Sequence, residues 1–184
     1  MRVIVTGGGT GGHIYPAMAV ARALMERCND MEVLYVGTRD GMEARLVPDN
    51  GLSFKGIAGQ GLPRRLSIDT FKAAGTNLMA LWETKKVLKE FRPDLVVGTG
   101  GYVSGPVVLT SALFGIPALL HEQNALPGMT NKLLSKVVKN VMVTFPESAG
   151  YFPSKEKIKV VGLPVREEIG QIDRKTGAAK FGLD

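Results

Sequence analysis

At 184 residues, 45% of them apolar and 22% charged, the chain is too hydrophobic to stay unfolded and long enough for one sizeable core. Its single cysteine, Cys28, excludes an intramolecular disulfide and fits a reducing compartment. A formal net charge of +6 points to an anionic partner: phosphorylated substrate, acidic lipid or nucleic acid. The last is unsupported, because the sequence carries no RNA-binding aromatic signature, zinc-ligand spacing or helix-turn-helix pattern.

Taken in chain order, Arg2–Thr6 (RVIVT) reads as a strand buried on both faces. Pro16–Arg27 reads as a helix with Ala17, Val20, Ala21 and Leu24 on one side. Glu32–Val36 and Phe54–Ile57 are the next strands. Ile68–Phe91 is a long helical region, expected to break near Gly75 and stopped by Arg92-Pro93-Asp94. Then follow a strand at Leu95–Gly98, a helix at Gly105–Phe114 and a strand at Ala118–His121. Pro127–Ser135 reads as helical, and Val141–Phe145 and Lys157–Val161 as the last strands. The longest apolar stretch, Pro106–Leu120, is interrupted by Thr110, Ser111, Gly115 and Pro117. A spanning helix needs ~20 apolar residues, so helix plus strand is the better reading. The alternation predicts an α/β fold: a Rossmann-like parallel sheet with helices on both faces, built from right-handed βαβ units. One domain is expected over residues 1–162, and 163–184 as a linker leading into a second domain that the sequence does not contain.

In such sheets ligands bind beyond the carboxyl ends of the strands. After the first strand comes Gly7-Gly8-Gly9-Thr10-Gly11-Gly12-His13, where so many glycines free the backbone for close ligand approach. Bare N–H groups and the dipole of the following helix favour a phosphate there. Gly7-x-Gly9-x-x-Gly12 also matches a dinucleotide fingerprint, which expects an acid at the end of the second strand. That strand ends Tyr35-Val36-Gly37-Thr38-Arg39, with no acid before Asp40, so a dinucleotide would have to be NADP with Arg39 on its 2′-phosphate. A second glycine loop, Gly98-Thr99-Gly100-Gly101-Tyr102-Val103-Ser104-Gly105-Pro106, again joins strand to helix. A dehydrogenase needs only one such loop. The third loop, His121-Glu122-Gln123-Asn124, presents groups able to hydrogen-bond sugar hydroxyls. Both histidines of the chain sit at strand ends: His13 is a candidate for catalysis or ligand contact, His121 for structural hydrogen bonding.

The segments Gly8-Gly9-Thr10-Gly11-Gly12-His13-Ile14-Tyr15-Pro16, Gly100–Pro106, His121–Asn124 and Gly162-Leu163-Pro164-Val165-Arg166 resemble, in order, four motifs of the MurG family. These are UDP-N-acetylglucosamine transferases of glycosyltransferase family 28 with a GT-B fold, two Rossmann-like domains facing across a cleft. The resemblance runs the length of the chain. The family usually has Asn where Leu163 stands, a departure that touches only that side-chain contact.

The resemblance implies an inverting transfer of N-acetylglucosamine from UDP-GlcNAc to the 4-hydroxyl of N-acetylmuramic acid. The acceptor would be undecaprenyl-diphospho-muramoylpentapeptide (lipid I), and this chain its acceptor-binding half. It implies that the loops carrying Gly9, Gly100, Gly101, Tyr102 and Ser104 face lipid I, and that Thr10, Gly11 and Gly12 also border the donor. Asn124 and Arg166 would reach UDP-GlcNAc, with Gln123 and Asn131 also in the substrate-binding set. His13 would be the general base, with Glu122 in reserve; imidazole suits neutral pH. No Asp-x-Asp is present, so neither metal nor cofactor is expected, and helix N-termini and Arg would stabilise the leaving UDP. The remaining partner is an anionic membrane, at the cytoplasmic face of the bacterial cell membrane. Its candidate contacts are Arg64, Arg65, Lys72, Leu78, Met79, Trp82, Lys85, Lys86 and Lys89. Leu78, Trp82, Lys85 and Lys89 share one helical face, unless Trp82 is packed in the core. Two alternatives stand: a non-catalytic, membrane-recruiting subunit of a split glycosyltransferase, and a related glycolipid glycosyltransferase with another acceptor.

Overall fold

The computed structural model describes residues 1–28, 30–61, 68–166, 169 and 173–182, with 68–72 and 74 described by backbone alone. Seven strands form one sheet: β1 (Arg2–Thr6), β2 (Glu32–Thr38), β3 (Phe54–Ile57), β4 (Leu95–Gly98), β5 (Ala118–Glu122), β6 (Asn140–Val143) and β7 (Ile158–Val160). Their order is β3-β2-β1-β4-β5-β6-β7, and every pairing is parallel. The chain therefore runs outward from β1 to one edge, returns, and runs from β4 to the other. That reversal creates a crevice between the carboxyl ends of β1 and β4, where open α/β sheets bind ligands. Register places Thr6 beside Gly98, so the two glycine loops leave the sheet side by side.

The period-2 alternation of β1 divides the core. Val3 and Val5 point to one face, with Tyr35 and Val97 and with Ile14, Ala17, Met18 and Ala21 of α1 (Gly11–Arg27). Val47 of α2 (Glu43–Asp49) joins them. Ile4 points to the other face, with Val36, Val96 and Leu120, under Ala80, Val87 and Leu88 of α3 (Ile68–Phe91) and Val107 and Val108 of α4 (Ser104–Leu113). Leu134 of α5 (Met129–Leu134) packs on that side too. Helices thus cover both faces, and the strands are apolar runs because neither face meets water.

Two expectations need correction, and two short helices were not read from the sequence. The first helix begins at Gly11, not near Pro16, so its opening turn is made of the glycine loop itself. Pro16 sits inside it, where a proline cannot donate to the carbonyl four residues back, that of Gly12. The third helix is continuous through Gly75; the residue is exposed, with open space around it, and nothing there forces a bend. The seven-residue α2 was not read from sequence at all. Within the stretch 163–184, Arg174–Lys180 forms a helix, α6, whose start is capped by Asp173 accepting from the Thr176 N–H at 2.9 Å. Among the described residues no helix is long and apolar enough to cross a membrane.

If α3 is one unbroken helix, Gly75→Ala relieves the entropic cost of an exposed helical glycine. We expect the urea midpoint to rise, by about 0.5–1 kcal/mol in unfolding free energy; a fall would mean that the backbone at residue 75 is not helical.

Candidate functional site

The crevice is closed by contact between its two loops. Gly8 N–H donates to the Gly100 carbonyl at 3.3 Å. Ser104 Oγ, at the start of α4, donates to the same carbonyl at 2.7 Å and to the Thr6 carbonyl at 3.2 Å. Thr99 Oγ1 donates to the His13 carbonyl at 2.8 Å. Gly101 has φ +82°, and a Cβ there would strike the Gly8 carbonyl, so only glycine allows this approach. Tyr102 lays its ring edge over Gly9.

Beneath the first loop lies a residue that sequence reading missed. Glu43 is fully buried. One carboxylate oxygen accepts from the Thr38 N–H at 3.0 Å and the Thr38 hydroxyl at 2.6 Å; the other accepts from the Gly9 N–H at 3.3 Å. Tyr35 donates its hydroxyl to the Gly7 carbonyl at 2.6 Å, and burial together with the Glu43 charge pushes its phenol pKa far up, so it stays a donor. The glycine loop is therefore held from below, and the Gly9 N–H is engaged with a carboxylate. The fingerprint directs attention to the end of β2; the acid instead arrives on the next helix, folded back beneath the loop. Arg39, on which the NADP reading depends, forms an ion pair with Glu83.

His13 is half-buried on the first turn of α1. Its Nδ1 faces two acceptors, the Thr99 carbonyl at 3.0 Å and Gln123 Oε1 at 3.2 Å. The Nδ1 must therefore carry the proton, which leaves the lone pair on Nε2. Gln123 is buried, and its amide nitrogen donates to His121 Nδ1 and to the His121 carbonyl, both at 3.1 Å. His121 is buried in turn, with Nε2 donating to the Gly162 carbonyl at 2.9 Å. Burial lowers the His121 pKa below its ordinary value against the opposing pull of the Gly162 carbonyl and the Glu122 charge, so the ring is neutral.

Glu122 is also fully buried, and each of its oxygens takes two N–H donors. One accepts from the backbone and side-chain nitrogens of Asn124, both at 3.0 Å; the other from Gly128 N at 3.1 Å and Asn131 Nδ2 at 2.9 Å. The carboxylate thus clamps the turn from β5 into α5 and fixes the exposed Asn124. The buried Asn131 stands behind Gly100. Thr10 precedes α1, and its hydroxyl is not spent on capping the helix. Arg166 sits 5.0 Å from the ring centroid of Tyr15, one turn into α1 beside Gly11. The structure thus brings the segment after β7 back to the glycine loop, a contact no sequence motif announced. Among the described residues, no cluster of His, Cys, Asp and Glu side chains forms a metal site.

Trp82 lies on the surface, 55% exposed, beside Leu78 at 67% and Met79 at 49%. Lys86 places its Nζ 3.5 Å above the indole, and Lys85 reaches Phe114 at the end of α4, where Leu113 is also exposed. Lys89 is exposed on the same helix. Arg64, Arg65 and the side chain of Lys72 lie outside the described residues.

Residues 3–143 match the family model described as the glycosyltransferase family 28 N-terminal domain. A curated relative from Desulfitobacterium hafniense (strain DSM 10664 / DCB-2), named UDP-N-acetylglucosamine--N-acetylmuramyl-(pentapeptide) pyrophosphoryl-undecaprenol N-acetylglucosamine transferase, is 66% identical over 183 residues, covering 100% of this chain and 50% of that protein. One of the same name from Moorella thermoacetica is 52% identical, covering 100% and 49%. Among solved structures, Acinetobacter baumannii MurG superposes with a TM-score of 0.75 at 37% identity, over 90% of this chain and 46% of that one. A UDP-GlcNAc 2-epimerase from Methanocaldococcus jannaschii, at 18% identity and a TM-score of 0.65 over 89% and 46%, shares the fold. The chain spans about half the length of the curated relatives it matches.

Glu122→Gln tests the clamp. The substitution sets an amide NH2 among four N–H donors, and hydrogen bonds to a charged group each carry about 1.5–3 kcal/mol. We expect unfolding free energy to fall by at least that amount; an unchanged denaturation midpoint would show that the carboxylate holds nothing.

Proposed function

This chain belongs to glycosyltransferase family 28, and on that premise we propose that it is the acceptor-binding half of an inverting N-acetylglucosaminyltransferase of peptidoglycan synthesis. Residues 1–162 form the binding domain, and 163–184 lead toward a donor-binding domain, in keeping with relatives about twice this length. The donor is UDP-GlcNAc. The acceptor is an undecaprenyl-diphosphate-linked muramoylpentapeptide, as the relatives' name describes.

The observation that carries the reading is the tethered ring of His13, its Nε2 lone pair left over at the junction of two glycine loops. In the reaction the acceptor's 4-hydroxyl oxygen bonds to the donor's anomeric carbon. The bond from that carbon to the β-phosphate oxygen breaks, UDP leaves with the electron pair, and His13 Nε2 takes the hydroxyl proton. Glu122, with both oxygens committed to N–H donors, is the poorer base. The α1 N-terminus with Gly11 and Gly12, and Arg166 held on Tyr15, supply positive potential for the diphosphate groups. Asn124 offers its amide to the donor, while Gly100, Gly101, Tyr102 and Ser104 shape the acceptor wall.

An acceptor with a polyprenyl tail must be met at a membrane. The exposed Leu78, Met79, Trp82, Leu113 and Phe114, ringed by Lys85, Lys86 and Lys89, suit peripheral binding to the anionic cytoplasmic face. Tryptophan favours the headgroup boundary, and each nearby cation adds ~1 kcal/mol on acidic lipid.

In the full-length enzyme, His13→Ala is expected to lower kcat by ~10²–10⁴-fold while changing KM for UDP-GlcNAc little. Near-normal turnover at neutral pH would remove His13 from the chemistry. For the membrane surface, vesicle sedimentation should show binding to anionic vesicles that weakens with salt and with Trp82→Ala. Equal binding to neutral and anionic vesicles, or to neither, would refute it.

A further inference from the structure

An unbroken series of hydrogen bonds joins His13 to the segment that leaves the sheet after β7. From the far end, the Gly162 carbonyl accepts from His121 Nε2 at 2.9 Å, and His121 Nδ1 accepts from the Gln123 amide nitrogen at 3.1 Å. Gln123 Oε1 then accepts from His13 Nδ1 at 3.2 Å, which it shares with the Thr99 carbonyl at 3.0 Å. A backbone carbonyl stands at each end and can only accept. That fixes every link: His121 carries its proton on Nε2, the Gln123 amide turns its nitrogen to His121 and its oxygen to His13, and His13 carries its proton on Nδ1. Flipping the amide would set its NH2 against the His13 N–H and its oxygen against two acceptors of His121, breaking every bond it makes.

The anchor of this series is unusual backbone. Gly162 has φ +82°, a left-handed conformation that aims its carbonyl at His121, and the Thr144 hydroxyl reaches the same carbonyl at 3.4 Å. The residue before it is still tied to the sheet, Val161 N–H donating to the Val143 carbonyl at 3.0 Å. The residues after it run to Arg166, which rests on Tyr15, two positions from His13. The departing segment thus touches the neighbourhood of His13 twice.

We propose that Gln123 and His121 are positioning residues that tie the ring of His13 to the path of the segment leaving β7 at Gly162, so that displacing this segment loosens the base. The proposal rests on the reading of His13 as general base. Both residues are buried, and their side-chain polar atoms bond one another, His13 and the Gly162 carbonyl, so they act through the ring of His13. Outer groups that orient a reacting ligand commonly carry 10–100-fold in function.

The test uses the full-length enzyme and two substitutions. Gln123→Met keeps the length of the side chain and removes both links. His121→Asn keeps an acceptor for Gln123 but loses the donor to Gly162, so it cuts only the end that meets the departing segment. Each is expected to lower kcat on the order of 10-fold with KM for both substrates within about two-fold. The double variant should be no slower than the worse single one, because the links act in series. Ring ¹⁵N spectra should show His13 as a single Nδ1–H tautomer in the wild type and a mixture in Gln123→Met. Unchanged kcat in Gln123→Met, or multiplicative losses in the double variant, would overturn the relay. If His121→Asn fails to fold, Gln123→Met and the spectra decide alone. If His13→Ala retains turnover, the base reading falls, yet the spectra still judge the relay: a wild-type His13 protonated on Nε2 overturns it whichever residue is the base.

Discussion

Everything at the carboxyl edge of the sheet depends on how closely the β1 and β4 loops approach each other. The Gly8 N–H meets the Gly100 carbonyl, and Gly101 lies against the Gly8 carbonyl with no room for a Cβ. The switch in strand order sets β1 beside β4, but adjacency alone would leave a gap filled by side chains. Glycine at these positions lets backbone pack on backbone, and this brings Thr99 within reach of His13 from both sides: its hydroxyl bonds the His13 carbonyl, and its carbonyl bonds the His13 ring. The position of the proposed base is therefore a property of the loop contact, not of α1 alone.

Two buried carboxylates support that contact from either side. A buried charge is costly unless hydrogen bonds replace its lost water. Glu43 and Glu122 solve this alike, by accepting N–H groups from the loops they support. The exchange works in both directions. Loop N–H groups that could find no partner in a helix or strand are satisfied, and irregular backbone becomes as rigid as regular backbone. It also divides labour between the residues of the third loop. His121, Glu122 and Gln123 face inward and are consumed by structure, while Asn124 is the one left at the surface.

The strands were legible because doubly buried parallel strands are short, β-branched and bounded by glycine or proline; their order and the register of β1 against β4 came only with the structure. The first glycine loop stood out as a candidate site because five glycines in six positions exceed what a tight turn needs. What sequence could not supply were long-range partners. Glu43 lies on a short helix with little apolar periodicity, so nothing marked it as the residue beneath Gly9. Gln123 reads from sequence as a group able to bond sugar hydroxyls, while its bonds to His13 and His121 depend on long-range positions that sequence does not give. Gly75 looked like a helix break because propensity is local, whereas α3 runs on through it with Ala73 and Ala80 buried on either side. The α1 start was misplaced for a related reason: proline favours the first turn, and here the glycines ahead of it were helical already.

One helix connects the two surfaces that the proposed function requires. The first turn of α4 is at the crevice, where Ser104 bonds the Gly100 and Thr6 carbonyls. Its last turn ends at Leu113 and Phe114 in the exposed apolar patch, against which α3 lays Lys85. Ten residues of α-helix span about 15 Å. A substrate with a diphosphate between a sugar and a long apolar chain needs its polar end received at a fixed, short distance from a lipid surface. Under the proposed function, a helix buried along Val107 and Val108 would set that distance with little freedom to vary, and the lysines beside the patch would turn it toward anionic headgroups. The positive charge that opened the sequence reading thus falls partly on lysines beside the patch and partly on Arg166 at the glycine loop, far along the chain and brought to Tyr15 after the turn at Gly162.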